Sequence, residues 1–247
     1  ATCAVARELD RPVQFMLPRQ NMFTTSGHRP ETSQHIQLGA KADGTLTSII
    51  HDSVNSTSSV NTFVEACGGA TSSLYASDAL RVSHATAVVA RGTPTSMRAP
   101  GAGVGLFALE SGMDELAIAL DMDPLELRRK NLIPKFEDGH DVATGISYDS
   151  GDYQLTLDKA LEQVNYQQLR EEQARLRENN QYMGIGVTCY CEICGIGPSQ
   201  VAGAVGFGGG LWEAAIIRFT PTGKASVYVG TSPHGQGEET TFAQILS

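Results

Sequence analysis

The sequence predicts an α+β fold with mixed sheets, hairpins and packed helices. Two hairpin signals stand far apart in the chain, at Asp43-Gly44 and around Pro221–Gly223, and each joins two β-rich runs. Helical patterns lie between them, and strands do not alternate regularly with helices. A regular alternation is what a purely parallel sheet requires, so segregated hairpins and helices are the better interpretation.

The first half of the chain is predicted to hold strands and one polar loop. Residues 12–18 alternate like a strand, and residues 35–54 form the first hairpin. A Gly/Ser-rich segment over 55–73 is typical of a surface or site-lining loop. Another strand is predicted over residues 84–92.

Helices are predicted after the glycine-rich string "GAGVG" (101–105). Apolar residues recur there at helical spacing: Leu106, Phe107, Leu109, Met113, Leu116, Ala117 and Leu120. A second helix covers 123–131, with Asp123 placed as its cap and basic residues in its last turn. Residues 153–180 are a long charged helix or a pair of helices with a solvated face.

The second half is predicted to repeat the plan of hairpin, glycine-rich loop and helix. A strand is expected over 183–194, a hairpin over 212–231, and a turn into a helix from residue 233. The irregular, polar segment 134–153 marks the domain boundary.

Composition and charge exclude several classes of partner. The 247 residues carry a net charge of −9, with 41% hydrophobic and 18% charged residues, which is ordinary for a globular protein. An acidic surface repels nucleic acid and anionic membranes. No apolar run reaches the length of a membrane span. We therefore expect neither a nucleic-acid partner nor a membrane span.

The cysteines indicate reduced thiols. Five are present, and three of them crowd into "CYCEIC" as Cys189, Cys191 and Cys194. An odd, clustered set is not a disulfide framework, so a cytoplasmic location is expected. Zinc sites usually need two separated Cys/His pairs, and this string has no second pair. Strand alternation would place Cys189 and Cys191 on one buried face.

Two glycine-rich strings are candidate ligand loops. "GAGVG" lacks the third glycine and preceding strand of a dinucleotide fingerprint and the Gly-Lys-Ser/Thr of a P-loop, so a close-packed helix start is favoured. In "PHGQGEET" (233–240), glycines flank Gln236 before a helix with an acidic first turn. The alternatives there are a polar ligand loop or a tight strand-to-helix turn. His28 and His234 are interpreted as hydrogen-bonding loop residues.

Three long strings together resemble one enzyme family. They are "RPVQFMLPRQNMFTTSGHRPETSQHIQLGAKADGTLTSI", "TPTSMRAPGAGVGLFALESGMDELAIALDMDPLELRRKN" and "GLWEAAIIRFTPTGKASVYVGTSPHGQGEETTFAQI". They resemble the large, molybdenum-cofactor-binding subunit of the xanthine oxidase, aldehyde oxidoreductase and aerobic carbon monoxide dehydrogenase family. The strings cover nearly the whole chain, so the resemblance is more specific than any single motif.

The resemblance implies roles for particular residues. The loop with Arg98, Ala99 and Gly101 would lie against the cofactor, with the Arg98 backbone next to the molybdenum centre. The second loop, Gly235, Gln236 and Gly237, would hold the pterin, in a dinucleotide form. Segments lining the substrate pocket would include these positions: Cys67, Gly68, Gly69, Pro100 and Gly195–Gly197.

Departures from the family pattern limit the activity. Copper-using carbon monoxide dehydrogenases have a cysteine directly after the loop arginine, whereas this chain has Ala99. The family's upstream Gly-Gly-x-Gly loop and downstream glutamate base are not found here. Since the chain also starts without Met and stops within a helical pattern, we interpret it as a central fragment, inactive alone.

The resemblance also implies domains and a parent activity. Residues 1–147 would end a first molybdopterin-binding domain, 148–180 would be a helical connector, and 181–247 would begin a second such domain. Both domains would be partial. The parent would hydroxylate an aldehyde or N-heterocycle with oxygen from water and pass electrons to iron–sulfur and FAD partner subunits or domains. The alternative is a non-catalytic α+β interaction module.

Overall fold

The computed structural model describes residues 2–142, 147–191 and 213–247. The chain divides into two compact units, residues 1–192 and 193–247. Unit 1 contains these elements in order: α1 (Thr2–Leu9), α2 (Arg19–Thr25), β1 (Thr32–Ala40), β2 (Leu46–Ser58), α3 (Thr71–Leu74), β3 (Ala79–Val89), α4 (Ala102–Ala119), α5 (Pro124–Asn131), β4 (His140–Asp141), β5 (Ser147–Tyr148), α6 (Tyr153–Val164) and α7 (Tyr166–Glu178). The α+β prediction is confirmed.

A three-stranded mixed sheet organises unit 1. Its order is β1-β2-β3, with β1 antiparallel and β3 parallel to the central β2. The predicted hairpin is confirmed, and Gly44 has a φ of 85° in its turn. Because β2 and β3 run parallel, the chain must return along the sheet between Ser58 and Ala79. This returning segment carries Glu65, Cys67 and Gly68.

Polar residues fill the second half of β2 because they bind the returning segment. The Asn55 side chain donates to the carbonyl of Phe63 at 2.9 Å and accepts from the backbone N–H of Glu65 at 3.0 Å. The Thr57 hydroxyl accepts from the N–H of Phe63 at 2.9 Å. The predicted loop therefore starts four residues later than expected, after Ser58.

The core lies between the sheet and α4. Leu109, Met113 and Ala117 form one helical stripe and are fully buried, together with Ile49 of β2. Phe107, which the periodicity placed with them, is 76% exposed because it lies on the opposite side of α4. The α5 prediction is confirmed, since the Asp123 carboxylate accepts from the N–H of Leu125 at 2.8 Å.

Two predicted strands in unit 1 are wrong. Residues 12–18 are irregular and lead into α2, because Pro12 and Pro18 remove two ladder donors from this short segment. Residues 183–191 are also irregular. The Cys189 N–H donates to the Glu110 carboxylate at 3.3 Å instead of to a neighbouring strand, while Val187 packs against the core. The rest of the second prediction, residues 192–194, lies outside the described residues.

The charged segment 153–180 is a pair of helices. The Asp152 carboxylate accepts from the N–H of Leu155 at 3.0 Å and caps α6. Asn165 separates α6 from α7 with a left-handed φ of 50°, a conformation that Asn tolerates better than most residues.

The described part of unit 2, residues 213–247, is a hairpin followed by a helix. Strand β6 (Ala215–Phe219) pairs antiparallel with β7 (Ala225–Val229), and Gly223 has a φ of 81° in the turn. Helix α8 (Glu238–Leu246) follows. Both predictions are confirmed for the described part of this unit. Apolar side chains of the hairpin and α8 line a cleft of about 330 Å³, among them Ile217, Val227, Val229, Phe242 and Ile245.

We predict that Gly105→Ala destabilises the fold. A Cβ at Gly105 would lie 1.8 Å from the carbonyl oxygen of Cys67, so backbone would have to move. The expected loss is at least about 2 kcal/mol in the free energy of unfolding. Gly103→Ala, two residues earlier in α4, would meet nothing nearer than 3.9 Å. That control should gain roughly 0.5–1 kcal/mol from the alanine helix propensity. Equal urea-unfolding curves for the two variants would contradict the packing described.

Candidate functional site

The loop before α4, residues 96–101 and here called the arginine loop, has a strained backbone. Ala99 has a φ of 54° and Gly101 a φ of 72°. A Cβ at Gly101 would lie 2.2 Å from the carbonyl oxygen of Ala66, so the loop is pressed against the returning segment. Arg98 and Pro100 are exposed, whereas Gly101 is buried. The loop therefore has one anchored face and one accessible face.

Two side chains that sequence reasoning missed hold this loop. The Arg29 guanidinium donates to the carbonyl of Arg98 and, at 3.4 Å, to the carbonyl of Ala99. It also pairs with Oε1 of Glu65 at 3.2 Å. The same Oε1 accepts the backbone N–H of Gly101. The sequence shows Arg29 in "SGHRPE" and Glu65 in "FVEACGG" as single charged residues. Because they are 36 positions apart, no local pattern indicates that they form a pair.

Glu65 is an acid in a buried position. It is 1% exposed, and its backbone N–H is held by Asn55 of β2. Its second oxygen, Oε2, is buried and has no hydrogen-bond partner within the described ranges. Buried carboxylates are costly unless they are paired, so the contact with Arg29 is essential to this arrangement.

The predicted pocket residues Cys67 and Gly68 lie next to the arginine loop. Cys67 is fully buried beside Gly105, and burial raises the pKa of its thiol, with a further rise from the Glu65 charge. The N–H of Gly68 donates to Nε2 of His84 at 3.0 Å. The structure thus brings Cys67 and Gly68 together with the arginine loop. The Gly195–Gly197 segment lies outside the described residues.

A neutral histidine ties the sheet to the returning segment. His51 is fully buried, with Nε2 at 3.0 Å from Oε1 of Gln34 and Nδ1 at 2.6 Å from the Thr71 hydroxyl. The Gln34 amide nitrogen bonds the carbonyl of Val104 in α4 at 3.2 Å. Burial, and then repulsion from His84, lowers the pKa of His51 from 6.5 to about 4. The Gln34 oxygen only accepts, so Nε2 carries the proton.

A buried polar network braces α4 from its other side. The Arg128 guanidinium bonds the carboxylates of Glu110 and Asp114, each at 2.7 Å, and the carbonyl of Glu110 at 3.0 Å. The Tyr75 hydroxyl donates to Glu110 at 2.7 Å. Burial, and then the Glu110 charge, raises the pKa of Tyr75. Burial lowers the pKa of Arg128, but the attraction and the hydrogen bond to Glu110, together with Tyr75 and Asp114, raise it overall.

Asn131 belongs to a separate set of bonds. Its amide nitrogen donates to the carbonyl of Gly44 at 2.9 Å, and its oxygen accepts from the N–H of Leu46 at 2.9 Å. Asn131 therefore fixes the hairpin turn to α5. Arg128 with Glu110 and Asp114 thus forms one set of bonds and Asn131 another, and both support the framework around α4 and α5.

The Gly-Gln-Gly loop of unit 2 is a tight turn into α8. Gly235 and Gly237 have φ values of 93° and 81°. Oε1 of Gln236 accepts the backbone N–H of His234, while Nδ1 of His234 lies 2.7 Å from the carbonyl of Ser232. These residues are exposed within unit 2. The turn geometry is compatible with a ligand loop, because the side chain and backbone of Gln236 are accessible.

Direct metal ligation has no support from protein side chains in the described part of the chain. Across residues 2–142, 147–191 and 213–247, no three His, Cys, Asp or Glu side chains cluster as a metal site. No helix within those ranges is long and apolar enough to cross a membrane. Cys191 is half-buried near the Tyr153 hydroxyl, at 4.0 Å, and Cys194 lies outside the described residues.

Comparisons with known proteins identify the family of the chain. Two models of molybdopterin cofactor-binding domains match the chain, one over residues 1–132 and the other over residues 159–247. The carbon monoxide dehydrogenase large chain of Hydrogenophaga pseudoflava is 39% identical over 145 residues, which are 58% of this chain and 18% of that protein.

Other relatives cover almost the whole chain. The nicotine 6-hydroxylase large subunit of Paenarthrobacter nicotinovorans is 27% identical over 98% of this chain and 30% of that subunit. The structure of quinoline 2-oxidoreductase from Pseudomonas putida 86 matches with a TM-score of 0.79 and 26% identity, over 99% of this chain and 32% of that one. This chain therefore spans about a fifth to a third of the length of these relatives.

We predict that Arg128→Met destabilises the chain far more than Arg129→Met. The first change leaves the buried Glu110 carboxylate without its cation, at an expected cost of about 3–5 kcal/mol. Arg129 makes exposed ion pairs with Glu126 and Asp158, which contribute within about 1 kcal/mol. Urea unfolding at neutral pH measures both, and a small effect of Arg128→Met would contradict the burial of the network.

We predict a pH dependence of stability that originates at His51. Between pH 6.5 and about 4 the unfolded chain binds more protons at this residue than the folded chain, so stability falls as the pH is lowered. Above pH 6.5 the full stability is present, because His51 is neutral in both the folded and the unfolded chain. Near pH 4 the loss in the free energy of unfolding reaches up to about 3 kcal/mol. His51→Gln should flatten the dependence, while the exposed His35→Gln should not. Identical pH profiles for both variants would rule out a buried neutral His51.

Proposed function

The chain belongs to the molybdopterin cofactor-binding family, and from that premise we propose that it is the part of a molybdenum hydroxylase large subunit that contacts the cofactor through two loops. The arginine loop of unit 1 is the first. The Gly235-Gln236-Gly237 loop of unit 2 is the second. Each domain present is one portion of a larger cofactor-binding domain.

The anchored backbone of the arginine loop is the observation that carries this proposal. Arg29 and Glu65 fix one face of the loop, and the absence of a Cβ at Gly101 lets that face approach the returning segment. The other face presents Arg98 and Pro100 outward. A fixed backbone with one accessible face suits close contact with a large, rigid cofactor, so the residues fit this group. Arg98 and Ala99 would meet the metal end through their backbone.

The second loop has the chemistry for the polar end of the cofactor. Gln236 offers both an amide donor and an acceptor, and Gly235 and Gly237 leave its backbone open. The N-terminus of α8 follows directly, where free N–H groups favour anionic groups such as phosphates. A molybdopterin dinucleotide has both a hydrogen-bonding pterin and phosphates.

When bound, the cofactor supplies two-electron oxidation with oxygen from water. The parent enzyme then hydroxylates an aldehyde or an N-heterocycle and passes electrons to iron–sulfur and FAD partners. Relatives named as a large chain and a large subunit support a multi-subunit complex. The nicotine and quinoline relatives, which span nearly all of this chain, support an N-heterocyclic substrate. Ala99 provides no thiolate for copper, so carbon monoxide is not the proposed substrate.

The residues proposed for the substrate pocket act through shape. Cys67 and Gly68 are buried behind the arginine loop, and a Cβ at Gly68 would lie 2.3 Å from a methyl group of Val82. Pro100 is exposed beside Arg98. We infer that Cys67 and Gly68 act by packing behind the pocket wall, to which Pro100 belongs. The general base is expected from a glutamate outside these 247 residues.

The proposal is tested by metal and pterin analysis of the full-length polypeptide that contains this chain, purified with its co-expressed partners. We expect about one molybdenum and one pterin per polypeptide. Gln236→Ala should speed pterin loss during dialysis by about tenfold, the worth of one good hydrogen bond. Gln244→Ala, an exposed glutamine in α8, is the matched control and should leave retention unchanged.

Folded full-length protein without molybdenum would contradict the proposed function and would favour the non-catalytic interaction module. Pterin retention that is equal in Gln236→Ala and in the control would contradict the role of the second loop alone. Sequencing of the surrounding reading frame adds an independent check, since the proposal expects an upstream glycine loop and a downstream glutamate.

A further inference from the structure

The arginine loop holds a conformation that its own sequence does not favour. Ala99 has a φ of 54°, a left-handed conformation that costs energy for any residue with a Cβ. Pro100 follows directly, and proline disfavours a helical conformation in the residue before it. Such a backbone persists only where surrounding contacts over-determine it. The contacts that do so here come from residues distant in sequence.

Arg29 binds the strained turn from one side. Its two terminal nitrogens reach two successive carbonyls, those of Arg98 and Ala99. The planar guanidinium holds its donors in a fixed fork, so it specifies the relative orientation of two carbonyls in a way that a single ammonium group does not. The bonded carbonyls lie on either side of the Ala99 Cα, in the part of the loop assigned to the metal end of the cofactor.

Glu65 binds the turn from its other end. Oε1 accepts from both the Gly101 N–H and Arg29, so one oxygen ties the start of α4 to the arginine that holds residues 98 and 99. The Glu65 side chain is fully buried, while that of Arg29 is 27% exposed. Charge-assisted bonds to a buried carboxylate are stronger than neutral ones. The pair therefore closes a ring of contacts around the loop.

We propose that Arg29 and Glu65 are positioning residues that fix the arginine loop in its cofactor-contacting conformation before the cofactor arrives. This inference rests on the proposed function, because it assigns the loop to the cofactor. Neither residue touches the cofactor. They act through the carbonyls of Arg98 and Ala99 and through the N–H of Gly101. Loss of either residue lets Ala99 relax to an ordinary conformation, and the loop then pays an ordering cost on binding.

The chain offers a matched control pair. Arg91 and Glu31 form an Arg–Glu bridge of 3.1 Å in the same unit, but their side chains are 61% and 74% exposed. Exposed pairs of this kind contribute little to stability. Arg91→Gln and Glu31→Ala therefore remove the same chemical groups without touching the arginine loop.

The first measurement is amide hydrogen exchange in the full-length polypeptide prepared without cofactor. Glu65→Ala and Arg29→Gln should speed exchange of the Gly101 amide by about tenfold or more, while the Leu109 amide in the core of α4 stays protected. Glu65→Gln keeps an oxygen for the Gly101 N–H and should restore most of the protection. Arg29→Lys should give an intermediate rate, since an ammonium group lacks the two-carbonyl fork. If an alanine variant also exposes Leu109, the two conservative variants decide the comparison.

The second measurement is molybdenum retention in the full-length polypeptide, followed during dialysis. Glu65→Ala should lose molybdenum at least about threefold faster than the wild type, and Glu65→Gln should recover retention. A residue with a purely structural role would give two variants of equal unfolding midpoint the same rate of molybdenum loss. The positioning role is overturned if the Gly101 amide exchanges at the wild-type rate in the variants. It is also overturned if the variants retain molybdenum as well as a wild type that contains it. A wild type without molybdenum overturns the proposed function instead, so the two failures are distinguishable.

Discussion

The site depends on one close approach, that of the start of α4 to the segment returning from β2 to β3. Gly101 and Gly105 have no room for a side chain there, because the carbonyls of Ala66 and Cys67 occupy the space. This approach brings the buried Glu65 carboxylate to the Gly101 N–H. A Cβ at either glycine would separate the two segments and leave a buried charge poorly paired.

The mixed sheet explains why the returning segment is available for this contact. A parallel β3 obliges the chain to cross back over the sheet, and the polar side chains of β2 fix the crossing backbone at Phe63 and Glu65. Behind α4, the bonds from Arg128 to Glu110 and Asp114 set the helix against α5. The strained loop therefore sits on a framework that is rigid on both sides, as a preformed binding loop requires.

Short sequence patterns predict turns, caps and helices. Features that depend on contacts between residues distant in sequence cannot be predicted from such patterns. The turn at Gly44, the cap at Asp123 and the α4 stripe of Leu109, Met113 and Ala117 each depend on a few neighbouring residues, and their prediction is confirmed. Phe107, which has the same periodicity, is exposed. Segment 183–191 has strand-like residues, but its backbone bonds a carboxylate on α4 rather than a strand. Arg29 and Glu65 were missed for the same reason, since each reads as an ordinary polar loop residue until the fold brings them together.

We propose that the arginine loop and the Gly235-Gln236-Gly237 loop each contact the molybdopterin cofactor. An experimental structure of the full-length, molybdenum-loaded protein tests it most directly. In that structure we expect the backbone of Arg98 and Ala99 to border the metal end of the cofactor and the Gln236 amide to lie within hydrogen-bond distance of its pterin. A cofactor bound away from either loop, or loops that face separate cavities, would contradict the claim.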